Sequence, residues 1–125
     1  MSALQKPVAQ PEVVLTKALL NTAKKLDLNQ AQLSRILGVD PSTVSRMARG
    51  ASTLRSTGKE WDAATTLIRI YRSLGGLLDG NESLMLGWFQ SLNHDFGKSP
   101  CEAVLESAGG IYRVCDYLDS LRGRF

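Results

Sequence analysis

The sequence predicts an all-α chain of six or seven helices. Three observations carry that expectation. Apolar residues recur at spacings of three and four from Leu15 to Leu121, which is the period of one buried helix face. No run alternates apolar and polar residues convincingly, as a half-buried strand would. Helix starters and stoppers (Asn29, Asp40-Pro41, Gly50, Gly75-Gly76, Pro100, Gly109-Gly110) divide the periodic stretches into helix-length pieces. The sequence contains no internal repeat and no low-complexity tract.

Residues 1–10 carry Pro7 and no periodicity, and are expected to be a disordered N-terminus. From Pro11 the positions Leu15, Ala18, Leu19, Thr22, Ala23 and Leu26 mark a first helix. Residues 29–50, NQAQLSRILGVDPSTVSRMARG, then read as two short helices joined by a tight turn. Asn29 and Asp40 are suited to cap their N-termini, and Pro41 falls at a first helical position, where a missing N–H costs nothing. Gly38 lies where the turn needs a permissive backbone, and Gly50 ends the second helix. Leu33, Leu37, Val39, Val44 and Met47 are spaced to pack the pair together. This leaves Ser42, Thr43, Ser45, Arg46 and Arg49 for solvent or a ligand. Such a pair is the unit that places a helix in the DNA major groove.

Residues 51–58 read as a polar loop. Trp61, Ala64, Leu67, Ile68, Tyr71 and Leu74 mark a linking helix expected to end at Gly75-Gly76. Leu84, Met85, Trp88, Phe89 and Leu92 form an apolar stripe. A short helix follows Pro100 with Ala103, Val104 and Leu105. A last helix starts near Gly109-Gly110 and shows Ile111, Val114, Cys115, Leu118 and Leu121. The expected organisation is a DNA-binding domain over 11–74 and a second helical domain over 75–125.

Charge supports this division. The chain is +3 overall, but up to residue 60 nine Lys/Arg face four Asp/Glu, whereas beyond it six face eight. The basic half holds the helix pair, which suits phosphate neutralisation, and Arg55 and Lys59 are expected near phosphates. An acidic second half would stay off DNA and suit a basic partner. No apolar run has membrane-span length and the N-terminus lacks an apolar signal core, so a cytoplasmic location away from membranes is expected. Cys101 and Cys115 have neither CxxC spacing nor a histidine cluster, so no metal site or cofactor is expected and no disulfide is required. Cys115 lies on an apolar stripe, as a buried small hydrophobe would.

The chemistry of catalysis is thin. His94 is the single histidine, and His94 with Cys101 on a short loop lacks an orienting group. The two glycine pairs have no phosphate-loop lysine. The carboxylates Asp79, Glu82, Asp95, Glu102, Glu106, Asp116 and Asp119 are scattered at solvent-like positions. No enzyme is expected.

The helix pair resembles the Xre/Cro helix-turn-helix family. Leu33, Gly38, Val39, Val44 and Met47 match its structural positions, and Ser34 stands where that family prefers alanine. The resemblance implies that Ser42, Ser45, Arg46 and Arg49 face base edges or nearby phosphates, with Arg46 as the bidentate guanine reader. It also implies that Gln30, Gln32 and Thr43 anchor to the backbone. The last third of the chain resembles the toxin-binding domain of Xre/MbcA/ParS antitoxins. The matching positions are Trp88, Asn93, Gly97, Pro100, Leu105, Gly110, Val114, Leu118 and Gly123 in order, while His94-Asp95-Phe96 departs from the usual leucine- and glycine-rich approach.

That resemblance implies a dimeric antitoxin that represses its own operon and covers the active site of a cognate toxin. The toxin would be of the RES type, which consumes NAD, or a related ADP-ribosyltransferase-like protein. Candidate toxin-binding residues are Trp88, Asn93, Arg113, Tyr117, Arg122, Arg124 and Phe125. The arginines of the terminal Arg122-Gly123-Arg124-Phe125, on a free tail, would enter the toxin's anionic-substrate site or pair with its carboxylates, or would only complement the last helix's dipole or fray. Dimerisation through the C-terminal helices is favoured over the DNA-binding half, because Trp88 and Phe89 are expected on a wide apolar face. The alternative is a stand-alone Xre-family transcriptional regulator with a dimerisation or effector domain.

Overall fold

Helix α1 (Pro11–Lys25) starts on a proline, carries Glu12 in its first turn and ends on Lys24 and Lys25, each placed to complement the helix dipole. The computed structural model describes residues 10–123. The expectation of disorder over 1–10 therefore falls almost wholly outside the described residues. Thr16, Leu19, Thr22, Ala23 and Leu26 form the buried side of α1 and its end.

Helix α2 (Gln30–Leu37) opens on a reciprocal capping box: the Gln32 N–H donates to Asn29 Oδ1 at 2.8 Å, and the Asn29 N–H donates to Gln32 Oε1 at 2.9 Å. Gly38 closes it with φ +69°, the left-handed turn that L side chains resist. Ser34, buried, resolves its polarity locally by donating to the Ala31 carbonyl at 2.8 Å. Helix α3 (Pro41–Ala48) buries Val44 and Met47. Asp40 holds the N-cap position with extended backbone, but its side chain makes no cap bond. The Asp40 carbonyl instead accepts the Thr43 N–H at 2.9 Å, so the donor a capping side chain would take is already engaged.

Helix α4 (Lys59–Leu77) runs through Gly75 and Gly76 rather than stopping there. Two internal glycines cost about 1 kcal/mol each, but Leu74 is buried and Leu77 and Leu78 pack against the core. Tertiary burial carries the last turn. The stop comes at Asp79-Gly80, both with positive φ, where the Gly80 N–H returns to the Gly75 carbonyl at 2.8 Å.

Helices α5 (Glu82–Gln90), α6 (Pro100–Glu106) and α7 (Gly110–Arg122) follow. Asn81 caps α5. Ser99 and Glu102 form a second capping box on α6. The described residues thus contain seven helices and no strand, apart from a single bridge between Asn93 and Lys98.

Helix α4 is the axis of the molecule: α1, α2, α5 and α7 all pack on it, α6 packs on α5 and α7, and α2 also touches α6. One continuous apolar core results, from Leu19 on α1 to Leu118 on α7. Ile70, fully buried on α4, belongs to it although the spacing did not single it out. Polar ties cross the two halves. Lys25 pairs with Glu82 at 2.8 Å, and Gln90 Nε2 donates to the Leu26 carbonyl at 2.8 Å. Arg69 on α4 pairs with Asp119 on α7, a third tie across the halves, and within the second half Lys98 pairs with Glu106 at 2.8 Å. Several of the scattered carboxylates are therefore ion-paired. At solvent-facing positions each pair contributes only about 0–1 kcal/mol, so the shared core does most of the joining.

Candidate DNA-binding and toxin-binding surfaces

Helix α3 turns Val44 and Met47 inward, which leaves Ser42, Arg46 and Arg49 exposed and Thr43 and Ser45 half-buried. Arg46 is not loose on this face: its Nη2 donates to Thr43 Oγ1 at 3.2 Å, one turn earlier. This leaves donors of the guanidinium fork for an acceptor outside the protein. Gln30 is exposed at the start of α2, beside the unpaired N–H groups of a helix N-terminus. Gln32 is half-buried and its oxygen belongs to the capping box, so its amide can only donate outward, as a phosphate requires.

The loop after α3 is pinned to α1. Leu54 is buried, and its N–H donates to Thr16 Oγ1 at 2.9 Å while that hydroxyl donates to the Glu12 carbonyl at 2.6 Å. The next residue, Arg55, lies against Glu60 with Nε to Oε1 at 3.0 Å. Arg55 and Arg46 line the same cleft of about 460 Å³ between the loop and α3. Lys59 is exposed at the first position of α4. The loop thus presents its cation on the recognition-helix side.

On the second half, Trp88 of α5 stacks on Tyr117 of α7 with ring centroids 6.3 Å apart at 26°. Phe96 tilts onto the same tyrosine at 4.9 Å, and the Tyr117 hydroxyl donates to the Asp95 carboxylate. All three rings are half-buried. Asn93 builds the loop that brings Asp95 and Phe96 there. Its Oδ1 accepts the Asp95 N–H at 2.9 Å, and its carbonyl accepts the N–H groups of Phe96 and Gly97. The unusual His94-Asp95-Phe96 approach is therefore part of the aromatic ledge, with His94 exposed. Arg113 is exposed one turn before Tyr117 on α7, 3.9 Å from Glu106.

Phe89 and Arg122 lie elsewhere than expected. Phe89 offers no apolar face to a partner: it is 0% exposed, because α5 needs a large anchor against α6 and α4. On α5 and just after it, Leu84 and Leu92 are the large apolar side chains left outside, at 56% and 66% exposure. Arg122 is not on a free tail. It is the last residue of α7 and its Nη1 donates to Ser73 Oγ at 3.2 Å, giving a buried hydroxyl on α4 a partner that it needs. Arg124 and Phe125 fall outside the described residues.

Both cysteines are buried and free. Burial pushes both thiols up, against a lowering hydrogen bond from Gln90 at Cys101 and the charge of Arg69 at Cys115, the opposite of an activated nucleophile. Among the described residues no helix is long and apolar enough to cross a membrane.

A family model described as the antitoxin Xre-like helix-turn-helix domain matches residues 9–79. The chain belongs to the Xre-family antitoxins. A second, the antitoxin Xre/MbcA/ParS C-terminal toxin-binding domain, matches residues 73–124. The two overlap on the last turn of α4 and the turn after it, where the antitoxin's halves share a helix. No curated protein matches the chain. The family makes this a DNA-binding antitoxin with a toxin for a partner, and neither matched domain is an enzymatic one.

Sequence reasoning missed Glu60, Asp95 and Phe96 as contributors to these surfaces. The acid in the first turn of α4 was a visible signal for Glu60. Nothing local pointed to the ring contacts of Phe96, since Tyr117 lies on another helix.

Proposed function

We propose that this antitoxin neutralises a RES-type, NAD-consuming toxin by covering its active site with residues 75–125, and represses its own operon as a homodimer through α3. The observation that carries the toxin half is the ledge of Trp88, Tyr117 and Phe96. It is organised before binding and only half-buried, flanked by the exposed Arg113. Pre-ordered aromatic and arginine side chains are the groups that dominate protein interfaces. For the DNA half, support comes from Ser42, Arg46 and Arg49, exposed on α3 beside the half-buried Ser45, with Gln30, Gln32, Thr43, Arg55 and Lys59 as backbone anchors. Two such helices in a symmetric dimer would read half-sites about 34 Å apart, or a multiple of that.

The test is coexpression with any RES-type protein encoded beside the antitoxin, followed by the mass of the copurified complex and the cellular NAD level. Rescue of NAD by the parent antitoxin and its loss with Trp88→Ala supports the reading. If NAD is not depleted by the toxin alone, the RES assignment is wrong. Operator binding with no copurifying toxin would favour a stand-alone regulator.

A further inference from the structure

Glu60 is an acid placed where a DNA-binding surface should avoid one. It stands in the first turn of α4, beside the cleft shared by Arg46 and Arg55. Its side chain is 7% exposed, whereas that of Arg55 is 77% exposed. Both carboxylate oxygens face the guanidinium, Oε1 at 3.0 Å from Nε and Oε2 at 3.4 Å from Nη2. The fork is thus gripped along one edge by a group that is itself buried and fixed, and its remaining edge is left to the solvent side.

A second observation is that a side chain on Gly58 would compete with this carboxylate for the same space. A Cβ on Gly58 would stand 1.8 Å from Glu60 Oε1. Gly58 has φ −85° and ψ 153°, which any residue can adopt, so its missing side chain serves space and not backbone conformation. The Gly58 N–H also donates to the Arg55 carbonyl at 3.1 Å, closing a tight turn between the two ion-paired residues. With Leu54 anchored on Thr16, Arg55 is fixed from both sides.

We infer that Glu60 is a positioning residue for operator binding: it holds Arg55 in the orientation that meets a DNA phosphate beside α3. This rests on the reading of Arg55 as a phosphate contact. It makes a prediction opposite in sign to simple charge counting. Removing an acid from a DNA-binding face should tighten binding by reducing repulsion. Here its removal should weaken binding, because a freed arginine must be ordered again on the DNA.

The experiment measures operator affinity against salt for Glu60→Gln, Gly58→Ala, Arg55→Ala and the Arg55→Ala/Glu60→Gln double variant, using the full chain. Gly58→Ala displaces the carboxylate without altering any charge, and keeps the test open if Glu60→Gln fails to fold. Helical circular dichroism checks folding for each. Expected are a loss of about tenfold for Arg55→Ala, the scale of one charge-assisted contact, and a salt slope shallower by about 1. Gly58→Ala and Glu60→Gln should lose affinity in the same direction, and Glu60→Gln should add nothing once Arg55 is gone. If Arg55→Ala weakens binding while Gly58→Ala and Glu60→Gln bind as the parent does or tighter, the positioning role is overturned and the phosphate contact survives. If Arg55→Ala itself changes nothing, the phosphate contact is wrong and the inference falls with it.

Discussion

The side-chain amide of Gln90, at the end of α5, donates to the backbone carbonyl of Leu26, just past the end of α1, at 2.8 Å. The bond joins the toxin-binding half to the DNA-binding half across 64 residues of sequence. The Lys25–Glu82 pair ties the other end of α5 to the end of α1, and both halves share one core. Gln90→Ala should therefore lower global stability by about 1 kcal/mol, the scale of one part-buried hydrogen bond. Urea unfolding followed by circular dichroism should still show one transition, because the core is continuous. Two separated transitions in the parent would mean that the halves unfold independently.

Gly109 and Gly110 adjoin in sequence and differ in what surrounds them. A Cβ on Gly110 would lie 1.8 Å from the Ala103 carbonyl oxygen, while one on Gly109 meets nothing within 4 Å. Gly110 is where α7 crosses the backbone of α6. Gly110→Ala should cost about 3 kcal/mol, the upper end of overpacking, because the opposing atom is main chain and cannot rotate away. Gly109→Ala should stay within about 0.5 kcal/mol of the parent. Denaturation midpoints of the two variants check the contrast, and equal midpoints would contradict the close crossing.

On the DNA surface, Arg46 and Lys59 should fail in different ways. Arg46 is tied to Thr43 on α3 and is proposed to read a base edge. Arg46→Ala should relax sequence preference at one position by about 1–3 kcal/mol. Lys59→Ala should weaken all operators alike and flatten the salt slope by about 1. Binding to a panel of single-base operator variants at two salt concentrations separates them. Identical profiles would undo the division into base and phosphate contacts.

Acid stability should report on the capping box of α6. The Glu102 carboxyl is held below its ordinary value of 4.5, first by the Ser99 N–H and then by the Ser99 hydroxyl. Glu106 is lowered by its hydrogen bond and charge contact with Lys98, with a smaller contribution from Arg113. A carboxyl lowered on folding takes up its proton more readily in the unfolded chain. Its stabilisation is thus complete above the ordinary value and is lost as the pH falls through the folded-state one. Stability should decline below about pH 4.5, and Glu102→Gln with Glu106→Gln should flatten that acid limb. An unchanged limb in the double variant would place the acid sensitivity elsewhere.

The helical class, the helix-turn-helix and most of the core are legible along the chain, because they depend on period, caps and turn residues within a few positions of one another. Asn29, Gly38 and Pro41 act on their own turns, and Val44 and Met47 face the core by helical spacing alone. The continuation of α4 past Gly75-Gly76 was decided only by tertiary packing, since burial of Leu74 outweighs two weak helix formers. Tertiary structure also decided which aromatic residue is anchor and which is surface. Phe89 and Trp88 are neighbours in sequence, yet one is fully enclosed and the other stacks on Tyr117 at the surface. The same holds for Arg122, which reads as a tail residue until α7 is laid against Ser73. Charges and rings acquire roles from partners far away in the chain, and spacing along one helix carries no information about which partner arrives.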